Sequence, residues 1–231
     1  MTEKLYWRDA YLREFDAKIL SVEGNKVRLD QTAFNPRGGG LVSDLGKLNE
    51  GNVVEVVKGG EEILHLVERP ELYRLGETVH GILDWERRYR IMRMHTTAHL
   101  LCAVVHRETG ALITGNQIAP EESRIDFSLE QFNRDKLSEY VAIANGVVKS
   151  GVEVKSYFMK REEALGVPGL VKLANASPPS LEVLRIVQIG DVDTQADGGV
   201  HVANTREIGE IVVTSAENKG KNNRRIHFKL L

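Results

Sequence analysis

Near Asp84 the hydrophobic pattern of the chain changes its period, and this change limits the possible folds more than any other feature of the sequence. Before it, apolar and polar residues alternate. Phe15, Ala17, Ile19 and Ser21 occupy every second place, and the Gly24-Asn25 pair sets off Lys26-Val27-Arg28-Leu29-Asp30. Val53 to Val57 and Glu62 to Val67 are short apolar runs, Val79 to Leu83 closes the region, and Gly and Asn punctuate it at Gly38-Gly39-Gly40, Gly51-Asn52 and Gly59-Gly60. A period of two with turn signals at this spacing predicts short strands from about Glu14 to Leu83, gathered in a small β-barrel or sandwich. After Asp84, Ile91, Met94, Ala98, Leu101 and Val105 recur at steps of three and four. That is the stripe of an amphipathic helix. Asp84 is placed to cap its start and Gly110 to end it, which predicts a helix from Trp85 to about Glu108.

The remainder mixes elements. Ile118 to Ser128 reads as a strand, and Leu129 to Ser150 as a second amphipathic helix opened by the capping-box pattern Ser128-x-x-Gln131. Val152 to Met159 reads as a strand, Lys160 to Leu165 as a short helix, and Leu184 to Ile189 and Glu210 to Ser215 as further strands. No strict strand–helix–strand rhythm runs through them, so the fold class is α+β. The expected domains are a β-barrel over 1-84 and an α+β domain over 85-231.

The 231 residues suit one large or two small domains, and 42% hydrophobic with 28% charged residues is ordinary for a soluble globular protein. A net charge of -2 argues against a surface that binds polyanions everywhere, while leaving room for a local basic groove. The single cysteine, Cys102, rules out an internal disulfide framework and fits a reducing cytoplasm. The charged start, MTEKLYWRDAYLREFDAKIL, reads as neither a signal peptide nor a membrane anchor, and no apolar run approaches the ~20 residues that span a bilayer.

His95 and His99 stand four apart on the predicted helix and so point to one side of it. Imidazole is the commonest protein ligand for transition metals, and this pair is half of a metal site. Asp197-Gly198-Gly199-Val200-His201 offers the other half, since its small residues allow a tight loop to present an oxygen and a nitrogen together. Two ligands from a helix and two from a distant loop are a frequent way to build a tetrahedral zinc site. At about 1.5 Å per residue, His106 lies roughly 16 Å along the helix from His95, too far to share a metal, and Cys102 lies roughly 10 Å away. His65, His80 and His227 lack any partner spacing and read as structural. Two basic groups, Arg87, Arg88, Arg90 and Arg93 on the helix and Lys219, Lys221, Arg224 and Arg225 near the end of the chain, are candidate phosphate contacts.

Five stretches in order, DQTAFNPRGGGLVSDLGKL, HTTAH, TGNQIAPEESRIDFS, DVDTQADGGVHVANTREIGEIVV and GKNNRRIHF, with REEALGVPGL between the third and fourth, resemble the editing domain of alanyl-tRNA synthetase and its free-standing relatives, the AlaX proteins of medium length. The resemblance covers roughly residues 15 to 231. It implies an N-terminal β-barrel followed by an editing domain of the threonyl-/alanyl-tRNA synthetase type. It also implies a trans-editing hydrolase for mischarged tRNA(Ala), chiefly seryl-tRNA(Ala), with glycyl-tRNA(Ala) as a further substrate, and one zinc ion per chain. His95, His99 and His201 match the zinc histidines. Thr32 matches the position that faces the substrate side chain. Gly38, Gly39 and Gly40 match the glycine-rich motif, expected to approach the terminal adenosine, and Asn116 and Gln117 are candidates to orient water or ribose. The chain departs from the family pattern twice. Asp197 stands where Cys is usual, and Leu41 follows Gly39-Gly40 where Gln is usual. The readings that compete are an editing hydrolase for another misacylated tRNA, a metal-dependent esterase for a small substrate, and a non-catalytic zinc- or tRNA-binding module. The sequence sets no oligomeric state.

Overall fold

The computed structural model describes residues 2–131, 133–167, 170, 172, 174 and 181–231. The Pro168-Gly169 end of the REEALGVPGL stretch lies outside them. The chain forms two compact units, Met1–Ile91 and Met92–Leu231.

The first unit contains β1 (Glu3–Lys4), β2 (Glu14–Glu23), β3 (Lys26–Leu29), β4 (Gln31–Thr32), β5 (Gly46–Leu48), β6 (Gly51–Gly59), β7 (Glu62–Val67) and β8 (Thr78–Leu83). Six of these strands close into a ring in the order β2-β3-β7-β6-β5-β8, each antiparallel to both neighbours. The alternation read from the sequence is the alternation of faces. In β2, Phe15, Ala17 and Ile19 are buried while Glu14, Asp16 and Lys18 are exposed. The pattern breaks at Ser21, where the β2–β3 register shifts between Ile19 and Ser21. Ile19, Val27, Leu29, Phe34, Leu48 and Val56 are fully buried inside the unit, each contributing about 1.5–3 kcal/mol of transfer free energy. Leu41 belongs to this core at 4% exposure. An amide side chain at this place would need buried hydrogen-bond partners, whereas leucine needs none.

Two polar groups stand inside the unit. His65 occupies an inward place on β7 between Ile63 and Val67. Its Nδ1 faces the Val27 carbonyl at 3.1 Å, which can only accept, so Nδ1 carries the hydrogen. Nε2 is then an acceptor, and the Thr32 hydroxyl donates to it at 2.8 Å while taking the Phe34 amide at 3.1 Å. Burial pushes the His65 imidazole down to about 4. Below pH 6.5 the unfolded chain takes up a proton there that the folded chain refuses, so stability falls as pH drops from 6.5 toward 4. The loss is about 3 kcal/mol for this group. Urea unfolding of the wild type and of His65→Leu at pH 7 and pH 4.5 checks this. The wild type should weaken more than the variant, and equal losses would count against the assignment.

The second group is Arg88, fully buried at the start of the long helix. Its Nε donates to both carboxylate oxygens of Asp44 at 3.0 and 2.9 Å, Nη1 to the Ala10 carbonyl at 2.9 Å, and Nη2 to Asp44 and the Ala33 carbonyl. Asp44 also takes the Asn35 amide at 2.6 Å and returns its own amide to the Asn35 carbonyl. Of the arginine group read from the sequence as phosphate contacts, Arg88 is therefore internal, while Arg87, Arg90 and Arg93 are half-buried and have partners within the protein. Arg87 donates to the Ser43 carbonyl, Arg90 pairs with Glu86, and Arg93 donates to the Ile208 carbonyl.

α1 (Trp85–Thr109) begins in the first unit and continues into the second. Asp84 accepts the Arg87 amide at 3.1 Å and Gly110 ends the helix at φ 72°. The expected single stripe is too narrow. Every residue from Met94 to Val105 is buried, as in a helix enclosed on all sides. Thr96 and Thr97 tolerate this by donating to the Met92 and Arg93 carbonyls one turn back. Cys102 is among these buried residues, and burial raises its thiol far above the usual range. His106 turns to the Ala111 carbonyl at 3.0 Å.

The second unit continues with β9 (Ile113–Gln117), β10 (Ser123–Phe127), α2 (Arg134–Ser150), β11 (Val154–Lys160), α3 (Arg161–Leu165), β12 (Val183–Ile189), β13 (Asp193–Ala196), β14 (Ile211–Asn218) and β15 (Arg224–Leu230). Among the described residues these strands form two antiparallel sheets, β14-β15-β10-β9 and β11-β12-β13. The strand expected over 118–128 is shorter, Ser123–Phe127, and forms a hairpin with β9, which carries Asn116 and Gln117. The expected cap at Ser128 is also corrected. Its hydroxyl accepts the Leu112 amide, and Asn133 caps α2 by accepting the Asp135 amide at 2.9 Å. α2 ends on Gly151 in the left-handed region, φ 72°. Among the described residues, no helix is long and apolar enough to cross a membrane.

Candidate metal centre

α1 brings His95 and His99 to one side of the helix, and the loop after β13 brings Asp197 and His201 to meet them. One ligand atom from each of the four residues falls in a set whose members all lie within 4.8 Å of one another. The imidazole centroids are 4.1 Å apart for His95 and His201, 4.7 Å for His99 and His201, and 4.9 Å for His95 and His99. The Asp197 carboxylate faces all three Nε2 atoms, at 3.6 Å from His95, 3.8 Å from His99 and 3.3 Å from His201. Four ligands with bonds of about 2 Å around one zinc are separated by roughly 3.3 Å in tetrahedral geometry. The donor set and its spacing therefore fit such an ion.

The other ring nitrogen of each histidine is already spoken for. His95 Nδ1 faces the Val200 carbonyl at 3.2 Å, an obligate acceptor. His99 Nδ1 faces Asp193 at 2.9 Å. His201 Nδ1 faces the Thr96 hydroxyl at 3.1 Å, which has given its own hydrogen to Met92 and so accepts. All three rings thus carry hydrogen on Nδ1 and turn Nε2 inward. Partners of this kind fix ring orientation and raise ligand basicity.

The loop itself is tied down. The Arg185 guanidinium holds the Asp197 and Gly199 carbonyls at 3.1 and 2.9 Å, and Asp197 Oδ1 takes the Gly199 amide at 2.6 Å. Asn204 and Glu207 close a capping box just beyond His201. Burial alone would raise the Asp197 carboxyl, but the facing imidazoles hold it well below the usual carboxylate range. Burial pushes His95 down to about 4 and His201 well below its ordinary value. Burial also pulls His99 down, but the hydrogen bonds its ring donates to the Asp193 and Asp197 carboxylates outweigh it and raise the imidazole to about 9.

Asp193 is the site residue that sequence reasoning missed. It is buried on β13 and receives His99, Gln195 at 2.8 Å and the Lys172 ammonium. Its place four residues before Asp197 is the only hint in the sequence. Asp193→Asn should keep the fold and lower zinc affinity about 10–100-fold. A chelator competition assay checks this, and an unchanged affinity would show that His99 needs no carboxylate behind it.

Residues 184–227 match the profile of the threonyl and alanyl tRNA synthetase second additional domain. The chain is 48% identical to the alanyl-tRNA editing protein AlaX-M of Saccharolobus solfataricus over 99% of its own length and 98% of the relative's. The chain belongs to the AlaX-M family. The AlaX-M protein of Methanosarcina mazei is 43% identical over 100% of this chain and 97% of its own. The alanine–tRNA ligase of Thermococcus kodakarensis is 39% identical over 94% of this chain, a stretch that makes up 24% of that longer protein.

The other candidate residues of this AlaX-M chain lie as follows. Thr32 is fully buried with its hydroxyl on His65. Gly38 and Leu41 pair through two backbone hydrogen bonds, which leaves Gly39 and Gly40 at the crest of a tight turn. Asn116 is half-buried, and Gln117 is exposed and accepts from Arg124. Arg224 and Arg225 open β15 instead of lying in a loop. Arg224 wraps the hairpin carbonyls of Gly220, Lys221 and Asn223, and Arg225 makes a two-pronged pair with Asp126 at 2.7 and 2.8 Å.

Proposed function

We propose that the protein is a trans-editing hydrolase that deacylates mischarged tRNA(Ala) in the cytoplasm. Its chief substrate on this reading is seryl-tRNA(Ala), with glycyl-tRNA(Ala) as a second, and it uses one zinc ion held by His95, His99, Asp197 and His201. The observation that supports this best is the convergence of three inward Nε2 atoms and a carboxylate in a chain alike over its whole length to alanyl-tRNA editing proteins. We read the closed ring as the β-barrel domain over 1-84, and 85-231 as the editing domain.

A pocket that accepts alanine cannot strongly exclude glycine, or serine with its one added hydroxyl, and this calls for a second, hydrolytic site. Zinc bound at the four residues would supply Lewis-acid polarisation for ester hydrolysis. The protein's own part is to hold the three rings in the right tautomer through Val200, Asp193 and Thr96. Asp197, 22% exposed at its side chain, is the one candidate ligand open to solvent, so the ester approaches from its side. Thr32 provides selectivity. With its hydrogen on His65 and one lone pair on the Phe34 amide, it retains a lone pair that accepts a seryl hydroxyl and finds nothing on an alanyl ester. Because Thr32 is sealed in the ring, that contact requires local opening. Gly38–Gly40 are assigned to the acceptor end of the tRNA, Asn116 and Gln117 to water or ribose, and Arg224 and Arg225 to shaping the basic hairpin that carries Lys219 and Lys221.

The test compares release of amino acid from seryl-, glycyl- and alanyl-tRNA(Ala) before and after chelation. Serine should be released, alanine retained, and activity lost on chelation and restored by zinc. Equal hydrolysis of free seryl esters would move the protein to a small-substrate esterase, and no release by zinc-loaded protein would leave a binding module.

A further inference from the structure

Lys58 lies beside the turn at Gly38–Gly40. A Cβ built on Gly38 would lie 3.2 Å from Nζ of Lys58, 3.4 Å from its Cε and 3.8 Å from its Cδ. The end of the lysine therefore runs alongside the turn in space that only glycine leaves free. Gly39 and Gly40 both have positive φ, 62° and 90°, and nothing lies within 4 Å of where a Gly39 side chain would begin. The crest is open to solvent. The Gly38 and Leu41 amides are used within the turn, which leaves the two crest amides outside that pair. Successive amides in such a conformation form a small anion-binding concavity.

Among the described residues Lys58 has no ion-pair partner, whereas Arg37, just before the turn, is held by Glu55 at 3.0 Å. A second ammonium, Lys4, lies over the Trp7 ring at 4.0 Å. Its basicity is lowered first by burial and then by the charge of Lys58, with Glu61 opposing. Lys58 beside the open amides, with the charge of Lys4 in its field, makes a receptor for a compact anion.

We propose that Lys58 and the Gly38–Gly40 turn, with Lys4 adding to the field, bind one phosphate group of a nucleic-acid backbone. Assigning that phosphate to tRNA rests on the function proposed above, but the anion site itself does not. The test has two arms. Inorganic phosphate is titrated while the Gly39 and Gly40 amides are followed by NMR, and saturable shifts that vanish in Lys58→Gln are expected. Uncharged tRNA(Ala) binding is then measured across salt concentrations. Lys58→Gln should weaken it roughly fivefold and lower the slope of log K against log salt by about 1, with zinc content unchanged. Gly38→Ala, which crowds the lysine, should act in the same direction. Absent phosphate shifts would overturn the site. Phosphate shifts with an unchanged salt slope would reduce it to a free-phosphate site and overturn the backbone assignment. Absent deacylation with both arms intact would sink only the proposed function.

Discussion

Replacing His99 with alanine is expected to strip zinc from the protein and lower seryl-tRNA(Ala) deacylation by on the order of 1000-fold, the scale of several kcal/mol of lost Lewis-acid stabilisation. The ring is central to the cluster. Its Nε2 faces Asp197 at 3.8 Å and its Nδ1 is anchored on Asp193 at 2.9 Å. Asp197→Ala should be milder. Its carboxylate is shared with the Gly199 amide and partly exposed, and oxygen is a weaker zinc ligand than the thiolate usual at this place in the family. Metal analysis of the two purified variants decides the point. Equal zinc loss would make Asp197 a full fourth ligand and the site a closed one, which is the arrangement of structural zinc.

The second large effect is on folding. Asp44→Ala should destabilise the first unit by about 3–5 kcal/mol, because it leaves the guanidinium of Arg88 buried without its counter-charge. Against a typical total of about 5–15 kcal/mol, this brings the unit close to unfolding. Trp7 and Trp85 are the only tryptophans and both lie in this unit, so fluorescence during urea unfolding reports on it directly. Asp44→Asn, which keeps an acceptor, should fall between. A loss below about 1 kcal/mol for Asp44→Ala would mean that water or a rearranged loop replaces the pair.

The sequence exposed what is periodic or chemically marked. Alternation in β2 and the Asp84 cap were legible because each is written in neighbouring residues. The His95–His99 pair was legible because four residues are one helical turn. What stayed hidden depends on contacts distant in sequence. Ser128 fits a capping box as well as any serine, but Leu112 claims its hydroxyl and Asn133 takes over the cap. Arg224 and Arg225 look like a basic loop until β14 is seen to pair with them. Arg88 is indistinguishable in sequence from the arginines beside it, and only Asp44, forty-four residues earlier, makes it an interior residue. Asp193 lies among other acidic residues with no periodic signal, and its importance comes from facing a histidine on another element.

The burial of Cys102 has a practical consequence. The only thiol in the chain is shut inside α1 and held in its unreactive neutral form, so the folded protein presents a surface free of native sulfhydryls. A cysteine placed at an exposed position such as Lys221 would be the sole target of a maleimide dye or spin label. Distances and movements during tRNA binding can therefore be followed without first removing a native residue.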